Sequence, residues 1–171
     1  PISRVEPNCC LAFNDCPELN DANNTSNLYA MLDGRWMALR ETTPTPEEMG
    51  STPWLVLTRD EEKPDFGSSN MWCVDQTVTE NLMGAVTRDQ AHLVGYTWDV
   101  EPRYLMSNCG NPCLHTGAGS SPEIEPGGSY TWRGRVYFLP HNPRELLRRY
   151  HRDTKMMKAK RTITDTTQEA Q

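Results

Sequence analysis

Short segments of alternating apolar and polar residues recur along this chain, and turn-forming residues separate them. Gly, Pro and Asp residues mark most of the breaks. Short strands at regular spacing are typical of an all-β barrel or sandwich. The predicted strands span residues 36–41, 54–58, 71–80, 82–87, 92–99, 103–108 and 129–139.

One helix is predicted over residues 142–158. Asn142 can cap it, Pro143 suits the first helical position, and Glu145 lies three residues after the cap, as in a capping box. Spacing of three or four residues places the apolar side chains close to one face, so the helix should pack on an apolar surface. These side chains are Leu146, Leu147, Tyr150 and Met157.

The remaining segments are predicted to be irregular or short. Residues 1–27 are interpreted as a Cys-rich arm, and residues 28–32 as a short apolar turn that ends at Asp33-Gly34. Residues 109–128 are rich in Gly, Pro and Ser and are expected to form a loop. Residues 161–164 are expected to form a short edge strand within a tail that spans 159–171.

Composition favours one compact domain. A chain of 171 residues is long enough for a single core, and 13 Pro with 11 Gly argue for many turns. Hydrophobic residues make up only 36% of the chain, but five Trp and six Tyr offer large areas for burial. We expect one domain over residues 1–171, with the barrel at 28–139.

Charge argues against nucleic acid as a partner, and hydropathy argues against a membrane span. The net charge is −6, and the basic residues between 144 and 161 fit a solvated helix face, so nucleic acid is not an expected partner. No apolar run approaches the roughly 20 residues that a membrane span needs. We also expect the chain to be a mature product, since a secretory signal peptide would be removed before position 1.

Cysteine usage indicates an oxidising compartment. An even number of cysteines favours disulfides and therefore export, although spacing alone leaves their pairing open. Asn23 and Asn24 begin overlapping N-glycosylation sequons, which supports a secreted, extracellular protein. No metal or cofactor is expected, because the zinc-like fragment Cys109-x-x-x-Cys113-x-His115 lacks a convincing fourth ligand nearby. The six cysteines are Cys9, Cys10, Cys16, Cys73, Cys109 and Cys113.

Two motifs together resemble the lipocalin family. The first is Leu32-Asp33-Gly34-Arg35-Trp36, and the second is Gly134-Arg135-Val136-Tyr137 followed by Asn142-Pro143-Arg144-Glu145-Leu146-Leu147. The resemblance covers roughly residues 28–158. It implies an all-β fold, a lipocalin-like eight-stranded up-and-down antiparallel β-barrel with one C-terminal α-helix packed on its outside.

Within the family the chain looks most similar to the apolipoprotein M and α1-acid-glycoprotein group. Thr45-Pro46-Glu47-Glu48-Met49, Cys73 and Cys109 carry this likeness. No Cys follows position 113, so Cys73 would pair differently from its counterpart in that group, with Cys9 or Cys10 as candidates. Asp75-Gln76-Thr77 stands where that group has basic residues that hold a phosphate, which disfavours a phosphorylated lipid.

The resemblance also implies a ligand-binding calyx. Trp36 would lie at the barrel floor with Arg135 stacked over it. Strand alternation would then direct a further set of side chains into the calyx. That set is Ala38, Arg40, Leu55, Leu57, Gln76, Val78, Glu80 and Tyr137.

Apolar walls with a carboxylate at Glu80, and Asp75 or Asp99 nearby, suit a small amphipathic or cationic ligand. The expected function is therefore a secreted carrier or scavenger of a toxin, amine, drug-like xenobiotic or lipid. The alternative is a secreted interaction module that binds a protein receptor through its loops and arm. We do not expect an enzyme, since an even Cys count favours a disulfide at Cys73, the one plausible nucleophile.

Overall fold

The computed structural model describes residues 8–13, 16–19, 27–43, 54–59, 71–99, 104–108, 111–117 and 121–168. This part of the chain contains nine strands, one long helix and a 3₁₀ turn at Leu39–Glu41. The elements are β1 Asn8–Ala12, β2 Leu28–Leu32, β3 Arg35–Ala38, β4 Trp54–Thr58, β5 Met71–Val86, β6 His92–Trp98, β7 Tyr104–Asn108, β8 Asn111–Gly117, β9 Gly134–Pro140 and α1 Pro143–Gln168.

β2 and β3 form a hairpin around Asp33 and Gly34. Both residues have positive φ, 48° and 73°, as a two-residue turn between twisted strands requires. Asp33 also accepts a hydrogen bond from the Thr77 backbone N–H at 2.9 Å through its Oδ1, which attaches the turn to β5. The prediction of a turn at 28–32 is wrong, because this segment pairs with β3 on one side and β5 on the other.

β5 joins the two halves of the sheet. Its first part runs parallel to β4, and its later part runs antiparallel to β2 and β6. The 16-residue strand replaces the two strands predicted at 71–80 and 82–87. The sheet curls into a half-barrel, and β5 is the strand that belongs to both halves.

The other half of the sheet has the order β1-β8-β7-β4-β5. β8 lies in the segment predicted as a loop at 109–128, and β1 lies in the segment predicted as an irregular arm. Both of those predictions are wrong at these residues. β1 pairs with β8, which is distant in sequence, and local turn propensity does not report this pairing; β8 also forms a hairpin with its neighbour β7.

The coarse prediction of a mainly β protein with one C-terminal helix is confirmed. The finer prediction of an eight-stranded up-and-down lipocalin barrel is not confirmed. The strands in the described ranges number nine, and β4 and β5 are parallel, whereas an up-and-down barrel pairs consecutive antiparallel strands.

α1 begins as predicted. The Asn142 side chain caps it by accepting a hydrogen bond from the Glu145 backbone N–H at 3.1 Å. The Glu145 carboxylate binds Arg148 and Arg149 instead of completing a capping box. The helix continues to Gln168, so both the predicted end at 158 and the predicted strand at 161–164 are wrong.

Two apolar clusters lie on opposite faces of the β2, β5 and β6 strands. The interior cluster fills the concave side of the half-barrel, and the helix cluster lies between the sheet and α1. Among the interior residues are Leu28, Ala30, Leu32, Met37, Leu55, Leu57, Val78, Met83, Val94 and Tyr96. The helix cluster contains Met31, Leu82, Val86, Leu93, Tyr137, Leu139, Leu146 and Tyr150, with Tyr29, Trp36 and Leu147 packed against it.

Within the residues that the structure describes, no helix combines the length and the apolar character needed to cross a membrane.

Candidate functional site

The half-barrel brings together part of the predicted calyx. Leu55, Leu57 and Val78 meet in the interior cluster, with exposures of 0%, 0% and 4%. Ala38 is also buried, at the end of β3. These four residues are packed core.

Four other predicted calyx residues lie elsewhere. Arg40 is exposed in the 3₁₀ turn, and the half-buried Gln76 accepts a hydrogen bond from the Thr43 backbone N–H at 2.9 Å. Glu80 lies on the helix side, 3.7 Å from the His151 imidazole. Tyr137 belongs to the helix cluster. The predicted inward direction of Glu80 and Tyr137 is therefore wrong.

A β-bulge explains the position of Glu80. Leu32 pairs with Val78 while Ala30 pairs with Met83, so β5 carries extra residues between these two pairs. Val78 and Met83 both belong to the interior cluster although one number is even and the other odd. Extra residues in a bulge change which side chains face the core. The alternation of inward and outward side chains that holds up to Val78 therefore does not continue through the bulge.

Trp36 does not lie in the barrel interior. Its ring stacks on Tyr29 with centroids 5.6 Å apart, and both pack against the helix cluster. Gly84 makes this packing possible, because a Cβ there would lie 2.7 Å from the Trp36 ring. The predicted partner Arg135 lies 3.7 Å from the Asp153 carboxylate instead.

An ionic cluster around the buried Asp153 carboxylate links α1 to β9. The Asp153 carboxylate is 4% exposed, accepts hydrogen bonds from Arg152 and the Tyr137 hydroxyl, and lies near Arg135. The hydrogen bond from Arg152 lowers the pKa of Asp153, and burial raises the pKa of the Tyr137 hydroxyl. Since all of these groups are paired, we assign this cluster a structural role.

The predicted disulfide and glycosylation sites are only partly described. Cys10, Cys16 and Cys113 are thiols in the structure, and Cys73 lies half-buried on β5. The side chain of Cys9, and Cys109, Asn23 and Asn24, lie outside the described residues. The predicted disulfides and glycosylation therefore stay predictions.

The β6–β9 pair carries an aromatic surface that the sequence interpretation missed. Val94 lies directly opposite Phe138, Tyr96 opposite Val136, and Trp98 opposite Gly134. Directly opposed residues share a face, so we call Val94, Tyr96, Trp98, Val136 and Phe138 the aromatic face. Val94 and Tyr96 are buried in the interior cluster, whereas Val136 and Phe138 are 42% and 74% exposed.

Ring contacts fix the orientation of the aromatic side chains on the β6 side of the aromatic face. Tyr96 and Trp98 meet edge to face with ring centroids 6.0 Å apart. The Trp98 indole lies over Gly134, where a Cβ would come within 2.9 Å of the ring. This contact orients the ring, and it explains why β9 begins with glycine at this register.

Two polar groups at the end of β6 have no hydrogen-bond partner. One is the buried Nε1 of Trp98, and the other is Oδ2 of Asp99, a carboxylate 2% exposed. The other Asp99 oxygen accepts a hydrogen bond from the Arg133 backbone N–H at 3.2 Å. Buried polar atoms are usually satisfied, so each of these two unpaired atoms is a candidate contact for a ligand.

The sequence contained part of this signal. Both strands were predicted, and Asp99 was noted as a carboxylate near the calyx. The sequence did not reveal that β6 pairs with β9, and this pairing places Phe138 opposite Val94.

No protein-family model, curated protein or solved structure matches this chain.

Proposed function

We propose that this protein is a carrier that binds a small amphipathic organic cation on the aromatic face. One observation carries the proposal: the face of the interior cluster continues without interruption onto Val136 and Phe138, which are exposed. A phenylalanine that is 74% exposed beside a packed core offers apolar area to a ligand.

The preference for a cation rests on Asp99 and on the exposed ring. The unpaired Asp99 oxygen can accept a hydrogen bond from an ammonium or guanidinium group. An aromatic ring attracts a cation over its face, and Phe138 leaves its ring open to one. The net charge of −6 favours the approach of positively charged ligands.

We propose that this carrier is a secreted protein. The overlapping sequons at Asn23 and Asn24 and the six cysteines support it. Glycan analysis of the protein from its native source tests this part separately, since an unmodified pair of sequons would argue against export.

Fluorescence titration tests the binding proposal. The panel contains an alkyl quaternary ammonium compound, an aromatic amine and a guanidinium compound, each beside a neutral analogue of the same size. Trp98 lies in the aromatic face and reports on binding. Wild-type protein should show saturable quenching by the cations. Phe138→Ala should weaken binding by about tenfold or more, because about 1.5–3 kcal/mol of apolar burial is removed.

Two variants complete the experiment. Met156→Ala removes another exposed apolar side chain, 49% exposed on α1, and should bind like wild type. Asp99→Asn should abolish the preference for a cation over its neutral analogue while binding of the analogue persists. Equal binding by Phe138→Ala and wild type would disprove the proposal. No response to any compound would favour the alternative, a module that binds a protein partner.

A further inference from the structure

Three metal-ligating side chains meet on one face of the β1–β8 pair. Cys10 lies directly opposite His115, and Ala12 lies opposite Cys113. Cys113 and His115 are two residues apart on β8, so both face the same side as Cys10. The two sulfur atoms and an imidazole nitrogen all lie within 4.8 Å of one another.

The surroundings hold this cluster in place. Cys113 is 2% exposed, and its backbone carbonyl accepts a hydrogen bond from the Ser107 hydroxyl at 2.9 Å. The edge-to-face contact with Trp54, with ring centroids 5.0 Å apart, orients the His115 ring. The ring is half-buried, and its Nδ1 is a buried atom without a hydrogen-bond partner. A buried ring nitrogen with no partner is a second indication that a ligand belongs there.

We propose that Cys10, Cys113 and His115 form a binding site for Zn²⁺. Zinc prefers thiolate and imidazole ligands in tetrahedral geometry, and three side chains within 4.8 Å can surround one ion after small shifts. Cys10 is exposed, so the fourth position faces solvent and suits a water molecule. On binding, each of the two thiols releases its proton to solvent and gives its sulfur lone pair to the metal.

A disulfide between Cys10 and Cys113 is the competing interpretation of the same pair. Their register makes them diagonal neighbours, since each lies opposite a residue two positions from the other. Diagonal neighbours in an antiparallel pair are about 7–8 Å apart. Most disulfides join Cα atoms less than about 7 Å apart, so this register disfavours a disulfide between Cys10 and Cys113. A metal site tolerates the wider spacing because the ion lies between the sulfurs.

One ligand of this site, Cys10, is distant in sequence from the other two, which is why the sequence analysis predicted no metal. The fragment Cys109-x-x-x-Cys113-x-His115 lacked a fourth ligand nearby in sequence, and the structure brings Cys10 of β1 to Cys113 and His115. The inference is independent of the proposed carrier function, because the site and the aromatic face belong to different strand pairs.

Cobalt and zinc binding to the full, reduced chain tests the proposal. Co²⁺ should produce a thiolate-to-cobalt charge-transfer band, and excess Zn²⁺ should abolish it with one equivalent per chain. Cys10→Ser and His115→Ala should each weaken Zn²⁺ binding by on the order of 100-fold, since loss of a direct ligand exceeds the 10–100-fold cost of losing an outer partner. Cys16→Ser removes a thiol outside the cluster and should bind like wild type.

Circular dichroism of each variant separates loss of the site from loss of the fold. Cys10 is exposed, so Cys10→Ser should fold normally. Any loss of zinc binding in this variant can then be attributed to the missing ligand. The proposal is overturned if the charge-transfer band is absent or if Cys10→Ser retains wild-type affinity. It is also overturned if peptide mapping of the native protein shows a Cys10–Cys113 disulfide.

Discussion

At the scale of single residues, two glycines determine how closely the layers of this protein approach. Gly84 lies beneath the Trp36 ring, and a Cβ there would also lie 2.6 Å from the Val94 carbonyl oxygen. At Gly95, a Cβ would lie 2.5 Å from the Leu146 side chain and 3.3 Å from the Tyr137 ring. Both positions face the helix cluster, so they set the distance between sheet and helix.

Gly95→Ala should therefore destabilise the protein. Leu146 is fully buried and cannot move without shifting its neighbours on α1. Overpacking of this kind costs about 1–3 kcal/mol. Urea denaturation of the variant and the wild type measures the loss.

A double-mutant cycle with Leu146→Ala provides the control. Leu146→Ala alone should cost about 2–5 kcal/mol through the cavity that it leaves. In the double variant the new methyl group occupies part of that cavity, so the loss should be smaller than the sum of the single losses. Additive losses would show that the two residues are not in contact.

At the scale of elements, α1 combines local charge pairs with a tertiary anchor. Glu145 accepts hydrogen bonds from Arg148 and Arg149, at 2.7 Å to each Nε, in the first turns of the helix. Farther along, Asp153 lies between Arg152 and Arg135, and the contact with Arg135 links the helix to β9. The first set supports helix formation, and the second fixes where the helix docks.

The Glu145 pairs should make stability depend on pH. Hydrogen bonds from Arg148 and Arg149 lower the pKa of Glu145 from 4.5 to about 2. A carboxyl with a lower pKa in the folded state contributes stability above its unfolded pKa and loses it as the pH falls through the folded value. The contribution of Glu145 to stability should therefore decline between about pH 4.5 and pH 2. The decline should be small, because the group is exposed to solvent.

Comparison of the wild type with Glu145→Gln measures this contribution. The free energy of unfolding should differ more between the two at pH 7 than at pH 2. Glu125→Gln, in an exposed turn outside the helix, serves as the matched control. A constant difference across this pH range would contradict the assignment of the shift to the Arg148 and Arg149 pairs.

At the scale of the whole molecule, contacts between distant segments hold the half-barrel together. Among the strands that the structure describes, β1 pairs with β8 alone, and the remaining order β8-β7-β4-β5 connects it to the hairpin of β2 and β3. The proposed zinc site bridges β1 and β8. A metal there would tie the beginning of the described chain to the middle of the sheet.

Zinc should therefore raise the thermal stability of the whole protein. A ligand that binds only the folded state at 100 times its Kd adds about 2.7 kcal/mol. For a chain of this size that corresponds to a rise in Tm of roughly 5–10 °C. Calorimetry should show this rise with Zn²⁺ and its reversal by a chelator. A similar rise in Cys10→Ser would mean that the metal acts elsewhere.

The accuracy of the sequence-based predictions depended on how local the deciding interactions are. The start of α1 was predicted correctly, because Asn142 and Pro143 act within one turn. The loop predicted at 109–128 was wrong at β8, which forms a hairpin with its neighbour β7 and also pairs with the distant β1, a contact that no local property reports. Within the aromatic face, the strand of Phe138 was predicted, but its position opposite Val94 follows only from the β6–β9 register.

The sequence by itself determined a mainly β protein, the approximate location of most strands, the cap of the helix and the apolar stripe on it. Periodicity, turn residues and capping are local properties, so one chain suffices to reveal them. Tertiary structure decided which faces meet. The β5 bulge directed Glu80 to the helix, and the β1–β8 register brought Cys10 beside Cys113 and His115. Such choices depend on pairing between distant segments, where a shift of one residue reverses every face.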